Sequence, residues 1–213
     1  AVTVEDVCVS GCATESAVWK TILVGAWGGG VANGNDPDTA APLSGYFALD
    51  ITNPSSPVLL WEVTSATATL GNRIGYALGR PWIGKVQDAT GNPRWSVMVS
   101  SGINPAGGGA ALLVLDAYIG TSIRTIEIVG GNGFTKFSPQ ILKGGEDHTV
   151  SRVYGGDLSG NLWRIDPNSG TVVRLFAGTG QPFTTEPELT LCNDKTTVFI
   201  GSGKFIEASD MTD

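Results

Sequence analysis

The sequence predicts an all-β protein, a β-propeller of four-stranded antiparallel blades, present as an incomplete set of about four blade units. Three observations lead there. Glycine and proline together number 41 in 213 residues, far above the ~12% of ordinary globular chains, and they fall between short apolar runs. Such scattering is what many short strands joined by tight turns require. A strand–Asp–turn–strand pattern also recurs along the chain. Upstream of it recurs a second pattern, a proline-led strand followed by a strand ending in a small residue.

The first pattern runs through SGYFALDITNPSSPVLLWEV, AALLVLDAYIGTSIRTIEIV and NLWRIDPNSGTVVRLFAG. Each has an apolar strand ending in Asp50, Asp116 or Asp166, then a turn and a second apolar strand. Asp116 and Asp166 are followed four residues later by Gly120 and Gly170. A carboxylate can cap turn amides and glycine accepts positive φ, so these are structural turn residues. In the second pattern KTILVGA, RWSVMVSS, SRVYGGD and KTTVFIGSG end at Gly25, Ser100, Gly155 and Gly201. RPWIGKV, SPQILKG and EPELTLC open around Pro81, Pro139 and Pro187, and proline suits the first position of a strand. The stretch VYGGDLSGNLWRIDPNSG, 153–170, joins the two patterns, with Asp157 to Gly160 as the hairpin between them.

One blade cannot bury both faces, so neighbouring blades stack around an axis. A β-sandwich does not predict the same four-part order recurring. On this reading residues 1–16 are an N-terminal arm or loop and 17–213 a partial propeller, with a long polar insertion at 26–44. The chain then opens at the second strand of one unit and ends inside another, giving two complete blades and two incomplete ones. Either another chain supplies the missing strands or this is a piece of a larger propeller.

Composition narrows function. The net charge is −7 and the 13 basic residues are spread singly, which argues against nucleic acid. No apolar run approaches the ~20 residues of a membrane span. The start AVTVEDVCVSGC lacks the basic and apolar regions of a signal peptide, as a mature or excised chain would. Cys8 and Cys12 have a spacing able to close a small disulfide loop, leaving Cys192 free or paired elsewhere. That pairing points to an oxidising compartment.

Candidate chemical sites are few. Asn33, Asn35, Asp36 and Asp38 offer oxygens around Gly34, a weak calcium candidate without the distal glutamate of an EF-hand. His148 beside Asp147 invites a general-base role, but no G-x-S-x-G elbow accompanies it, and a solvated loop histidine explains it as well. GAWGGG and NPAGGGA lack the Lys-Ser/Thr of a phosphate loop. Of six tryptophans, Trp27 at a strand end beside glycines is the one expected to reach a surface and stack on a sugar or partner; core packing is the competing reading.

The ordered series LVGAWGGG, GYFALDITNP, LLWEV, IGYALGRPWIGKV, RWSVMVSSGIN, AALLVLDAYIG, VYGGDLSGNLWRID and VFIGSGKFIEASD resembles the C-terminal β-propeller of PilY-type proteins. These are type IV pilus tip adhesins and pilus biogenesis factors, and the resemblance covers nearly the whole chain, from about Lys20 to Asp210. It implies a non-catalytic, exported module at the cell surface or pilus tip that acts in pilus biogenesis, tip assembly and adhesion. Its implied partners are pilus minor subunits or other chains of the same surface assembly, and a host surface or glycan. The family's calcium loop precedes the GDLxGNLW strand. Here 141–152 read ILKGGEDHTVSR, where adjacent Glu146 and Asp147 replace alternating oxygen ligands, so no cofactor is expected and calcium is not retained at that loop. GGDLSGNLWRID also resembles the repeat of quinoprotein dehydrogenase propellers, but no adjacent cysteine pair occurs. A secreted carbohydrate-binding propeller is the third reading.

Overall fold

A computed structural model of the chain describes residues 1–28, 44–70, 72–141 and 148–204. Their strands form three four-stranded antiparallel sheets and one two-stranded sheet, each sheet built from strands in chain order. Blade 1 is β1 (Val2–Ser10), β2 (Val18–Ala26), β3 (Gly45–Asp50) and β4 (Val58–Thr64). Blade 2 is β5 (Trp82–Gln87), β6 (Pro93–Ser100), β7 (Ala110–Asp116) and β8 (Ser122–Ile128). Blade 3 is β9 (Phe137–Ile141), β10 (Val150–Gly156), β11 (Leu162–Ile165) and β12 (Val172–Phe176). The remaining pair is β13 (Glu188–Cys192) with β14 (Lys195–Phe199). The sheets make an open series, not a closed ring.

The first blade corrects the expected boundaries. Most of 1–16 is not an arm: Val2–Ser10 is a full strand paired with β2 from Val2↔Gly25 to Ser10↔Val18. Three blades are therefore complete, not two. Glu5 and Asp6 interrupt the apolar alternation, and the register shifts between Cys8 and Ser10, so the segment does not read as a regular strand. Pairing with β2 buries Val7 and Cys8 even so. A smaller correction concerns Pro139, which lies inside β9 opposite Val153. Because β9 pairs only with β10, the missing N–H costs no ladder bond.

Blade 2 contributes one face to each of two cores, which it shares with blade 1 on one side and blade 3 on the other. On β7, Ala111, Leu113 and Leu115 pack toward blade 1 with Ile22, Val24, Tyr46 and Trp61. The alternate residues Ala110, Leu112 and Val114 pack toward blade 3 with Phe134, Val153, Trp163 and Ile165. A strand covered on both faces needs no polar side, which is why AALLVL is apolar without a break. The outer faces differ: Val58 and Leu59 on blade 1, and Leu175 and Phe176 on blade 3, stand exposed.

A repeated clamp joins the blades. The segment after each second strand pairs with the crossover entering the next blade, as Gly28 with Ala77 and Gly102 with Phe134. In blade 3 the Asp157 carbonyl accepts the Phe183 N–H at 2.9 Å. Hydroxyls reinforce the clamps: Ser44 Oγ accepts Ala77 N–H at 2.8 Å, and Ser100 Oγ–H donates to the Thr135 carbonyl at 2.7 Å. Farther out, Trp61 Nε1–H donates to the Ala117 carbonyl at 3.1 Å. Its ring fills the place of a side chain at Gly120, where a Cβ would lie 2.5 Å from Trp61 Cγ and φ is +72°. Gly120→Ala is expected to destabilise the fold by about 3 kcal/mol, through left-handed strain plus overpacking. Urea denaturation checks this, and a midpoint equal to wild type would refute the packing.

Candidate functional site

Asp157 is the first candidate, because it is a carboxylate with no solvent exposure. Its Oδ1 accepts the N–H groups of Ser159 at 3.0 Å and Asn161 at 2.8 Å. Oδ2 accepts Asn161 Nδ2 at 2.9 Å, Trp163 Nε1 at 2.9 Å and, more weakly, Asn132 N–H at 3.4 Å. Every neighbour is a donor, so the lone pairs are occupied and a cation approaching them would meet N–H hydrogens. The arrangement is a structural anchor and not a metal centre. Among the described residues no cluster of three or more His, Cys, Asp or Glu side chains could hold a metal.

Local sequence makes this turn, and the chain makes it twice. DLSGN at 157–161 and DATGN at 88–92 share the same bonds: Asp N–H to Asn carbonyl, Gly N–H to Asp carbonyl, and two later N–H groups to Asp Oδ1. Asp88 was not singled out by sequence reasoning, although D-x-[ST]-G-N was legible as a repeat. Its turn is exposed at the β5–β6 hairpin, where Thr90 and Asn92 hold the carboxyl below its usual range. Asp157 differs by position, because Asn132 and Trp163 close over it. Gly160, φ +80°, lies where a Cβ would be 2.4 Å from the Gln181 carbonyl oxygen.

Asp116 and Asp166 form a second matched pair. In each, Oδ1 accepts the N–H groups two and three residues on, and the glycine at the fourth position, Gly120 or Gly170, donates to the Asp carbonyl. Asp116 also holds Arg94 Nη2 at 2.6 Å. Asp50 takes the Thr52 N–H at 2.9 Å and Lys20 Nζ at 2.8 Å. The hydrogen bond from Lys20, then that from Thr52, lowers the Asp50 pKa to about 2.

The remaining candidates separate in space. Asn33, Asn35, Asp36 and Asp38, like Glu146 and Asp147, lie outside the described residues. Trp27 is half-buried, its backbone N–H donating to the Gly45 carbonyl at 3.0 Å. Cys8 and Cys12 form a disulfide with Cα atoms 5.7 Å apart, and Cys192 is free and exposed.

That disulfide rims a cleft of about 340 Å³ between blades 1 and 2, lined also by Lys85, Arg94, Trp95, Asp116 and Tyr118. Trp95 is its centre. Trp19 meets it edge-on at 6.2 Å, His148 lies tilted at 5.9 Å, and Lys85 Nζ sits 5.2 Å from its ring centroid. Trp19, not Trp27, is the most exposed indole at 51%. Sequence reasoning missed this cluster because its members come from four strands or loops. His148 has a stacking partner here, and no serine, threonine or free cysteine is among the cleft's lining residues.

Comparison with known proteins now adds to this geometry. Residues 17–175 match the family model described as the PilY1 beta-propeller domain. The chain belongs to the PilY1 β-propeller family. A PilY1 homolog of Xylella fastidiosa, named a type IV pilus biogenesis factor, is 31% identical over 202 residues, covering 91% of this chain and 15% of that protein. PilY1 of Pseudomonas aeruginosa strain UCBPP-PA14 is 26% identical, covering 90% of this chain and 18% of that protein. The crystal structure of the P. aeruginosa PilY1 C-terminal domain superposes with a TM-score of 0.73 at 26% identity, over 99% of this chain and 45% of the other. This PilY1-family chain thus spans under a fifth of those two relatives and under half of that solved domain.

Two outcomes are expected. Asp157→Ala should lower unfolding free energy by about 3 kcal/mol or more, since it strands several buried donors; Asp88→Ala, in the same turn without the overlying indole, should lose clearly less. Equal losses in chemical denaturation would contradict the anchoring role. Asp50 has a depressed folded pKa, so its stabilisation is present above the unfolded value of about 4 and is lost as pH falls toward about 2. Urea midpoints across that window should fall less steeply for Lys20→Met than for wild type.

Proposed function

We propose that this chain is a non-catalytic β-propeller module of an exported, pilus-associated protein that acts in type IV pilus biogenesis, tip assembly and adhesion. The observation that carries this reading is the family match over 17–175, with relatives named type IV pilus biogenesis factors. The turn aspartates support it, because their oxygens are engaged by backbone amides, Lys20, Arg94 or Trp163 and serve architecture. The disulfide fits an oxidising compartment outside the cytoplasm. Among the described residues no helix is long and apolar enough to cross a membrane. The partners on this reading are minor pilus subunits and surfaces touched by the pilus.

In-frame deletion of the gene in its own bacterium should reduce surface pili, twitching motility and attachment. The intact gene supplied in trans should restore all three. Normal piliation, twitching and attachment in the deletion strain would overturn the proposal.

A further inference from the structure

The cleft between blades 1 and 2 is not used by the fold. We propose that it binds a sugar acid, a pyranose bearing a carboxylate, through Lys85, Arg94 and Trp95, whose ring Trp19 supports from outside the cleft. The inference deepens the binding-module reading and rests on it.

Charge selects the ligand class. Asp116 is the acidic side chain among the cleft's lining residues, and both of its oxygens are committed: Oδ1 to Tyr118 and Ile119 N–H, Oδ2 to Arg94. Arg94 spends one nitrogen on that pair, and its side chain is 46% exposed, which leaves further guanidinium donors for a ligand. Among the described residues Lys85 makes no ion pair, and its ammonium rests against the Trp95 ring. The cleft therefore offers cationic donors while its one lining carboxylate is already committed, which suits an anion. Because the whole chain carries −7, that preference is local to these side chains and not a long-range field.

Shape selects the carrier. A volume of about 340 Å³ is near the small end of ligand sites and suits one ring. Trp95 lines the cleft and offers apolar surface to the C–H face of a pyranose, while Trp19 packs edge-on against it at 75° and holds its ring in place. The Cys8–Cys12 bond fixes the rim, so little ordering entropy opposes binding. An acidic peptide would draw instead on backbone bonds along β1, the edge strand whose Val7, Cys8 and Val9 line the cleft, and is the competing ligand.

Titration of the full chain, with indole N–H groups followed by NMR, tests the proposal using D-glucuronate, D-glucose and the peptide Gly-Glu-Gly. Glucuronate should shift the Trp19 and Trp95 signals and bind about tenfold more tightly than glucose, the worth of one charged hydrogen bond. Lys85→Met and Arg94→Gln should each weaken glucuronate about tenfold while leaving the remaining spectrum unchanged. Trp19→Ala, which removes the ring packed against Trp95, should weaken glucuronate and glucose alike. Absence of indole shifts at saturating glucuronate, equal affinity for glucose, or tighter binding of the peptide would each overturn the proposal. Failed glucuronate binding together with lost piliation in the deletion strain removes this inference alone; normal piliation, twitching and attachment remove the binding-module reading.

Discussion

The carboxylate of Asp157 is the point on which three parts of the chain converge. Its side chain gathers N–H groups from its own hairpin, from Trp163 on β11 and from Asn132 in the crossover entering blade 3. Its backbone carbonyl receives Phe183 from the crossover leaving that blade. Taking a charge out of water costs several kcal/mol, and only a full set of donors offsets it. The hairpin and both crossovers must therefore be in place together, which couples blade 3 to what precedes and follows it. The adjacent backbones leave no room for a Cβ at Gly160 and Gly178, and the Phe183 side chain leaves none at Gly156.

Elsewhere the blades rely on weaker and more repetitive devices. Aspartates at the ends of β3, β7 and β11 organise their turns, and the matched geometry of Asp116 and Asp166 shows one solution used twice. Between blades, apolar faces provide most of the contact, and single polar bonds fix register. Tyr46 Oη–H donates to the Ser100 carbonyl at 3.0 Å, and Asn168 bridges the Gln87 N–H and the Val150 carbonyl. Such bonds contribute about 1 kcal/mol each, so their role is to choose one stacking geometry among those that hydrophobic contact allows.

The two ends of the blades differ in character. At the end holding Asp157, hairpins and crossovers fold over one another, and buried polar atoms face inward. At the opposite end, the disulfide-closed β1–β2 hairpin and the start of β6 stand apart enough to leave a cleft lined by the half-buried Trp95 and by cationic donors. Architecture occupies the turn aspartates of this family member, while the cationic donors of the cleft lie where the loops do not meet. That division is why a search for catalytic carboxylates leads to turns.

The sequence by itself determined the strands, their four-part order and the turns that join them, because an Asp-to-amide bond or a glycine with positive φ spans five residues or fewer. It also carried the family marker, since DLSGNLW holds most of the Asp157 ligation within seven residues. Tertiary structure alone decided the rest. β1 becomes a strand because β2 pairs with it, although Glu5 and Asp6 break its alternation. Asp157 and Asp88 have the same turn chemistry, and only packing by Trp163 and Asn132 makes one an anchor. The Trp95 cleft joins side chains from β2, β5, β6 and the 148 region, and inter-blade bonds such as Thr3 to Pro81 link residues 78 apart. Local chemistry is written in neighbouring residues; which distant residues meet depends on how the faces of whole blades fit together.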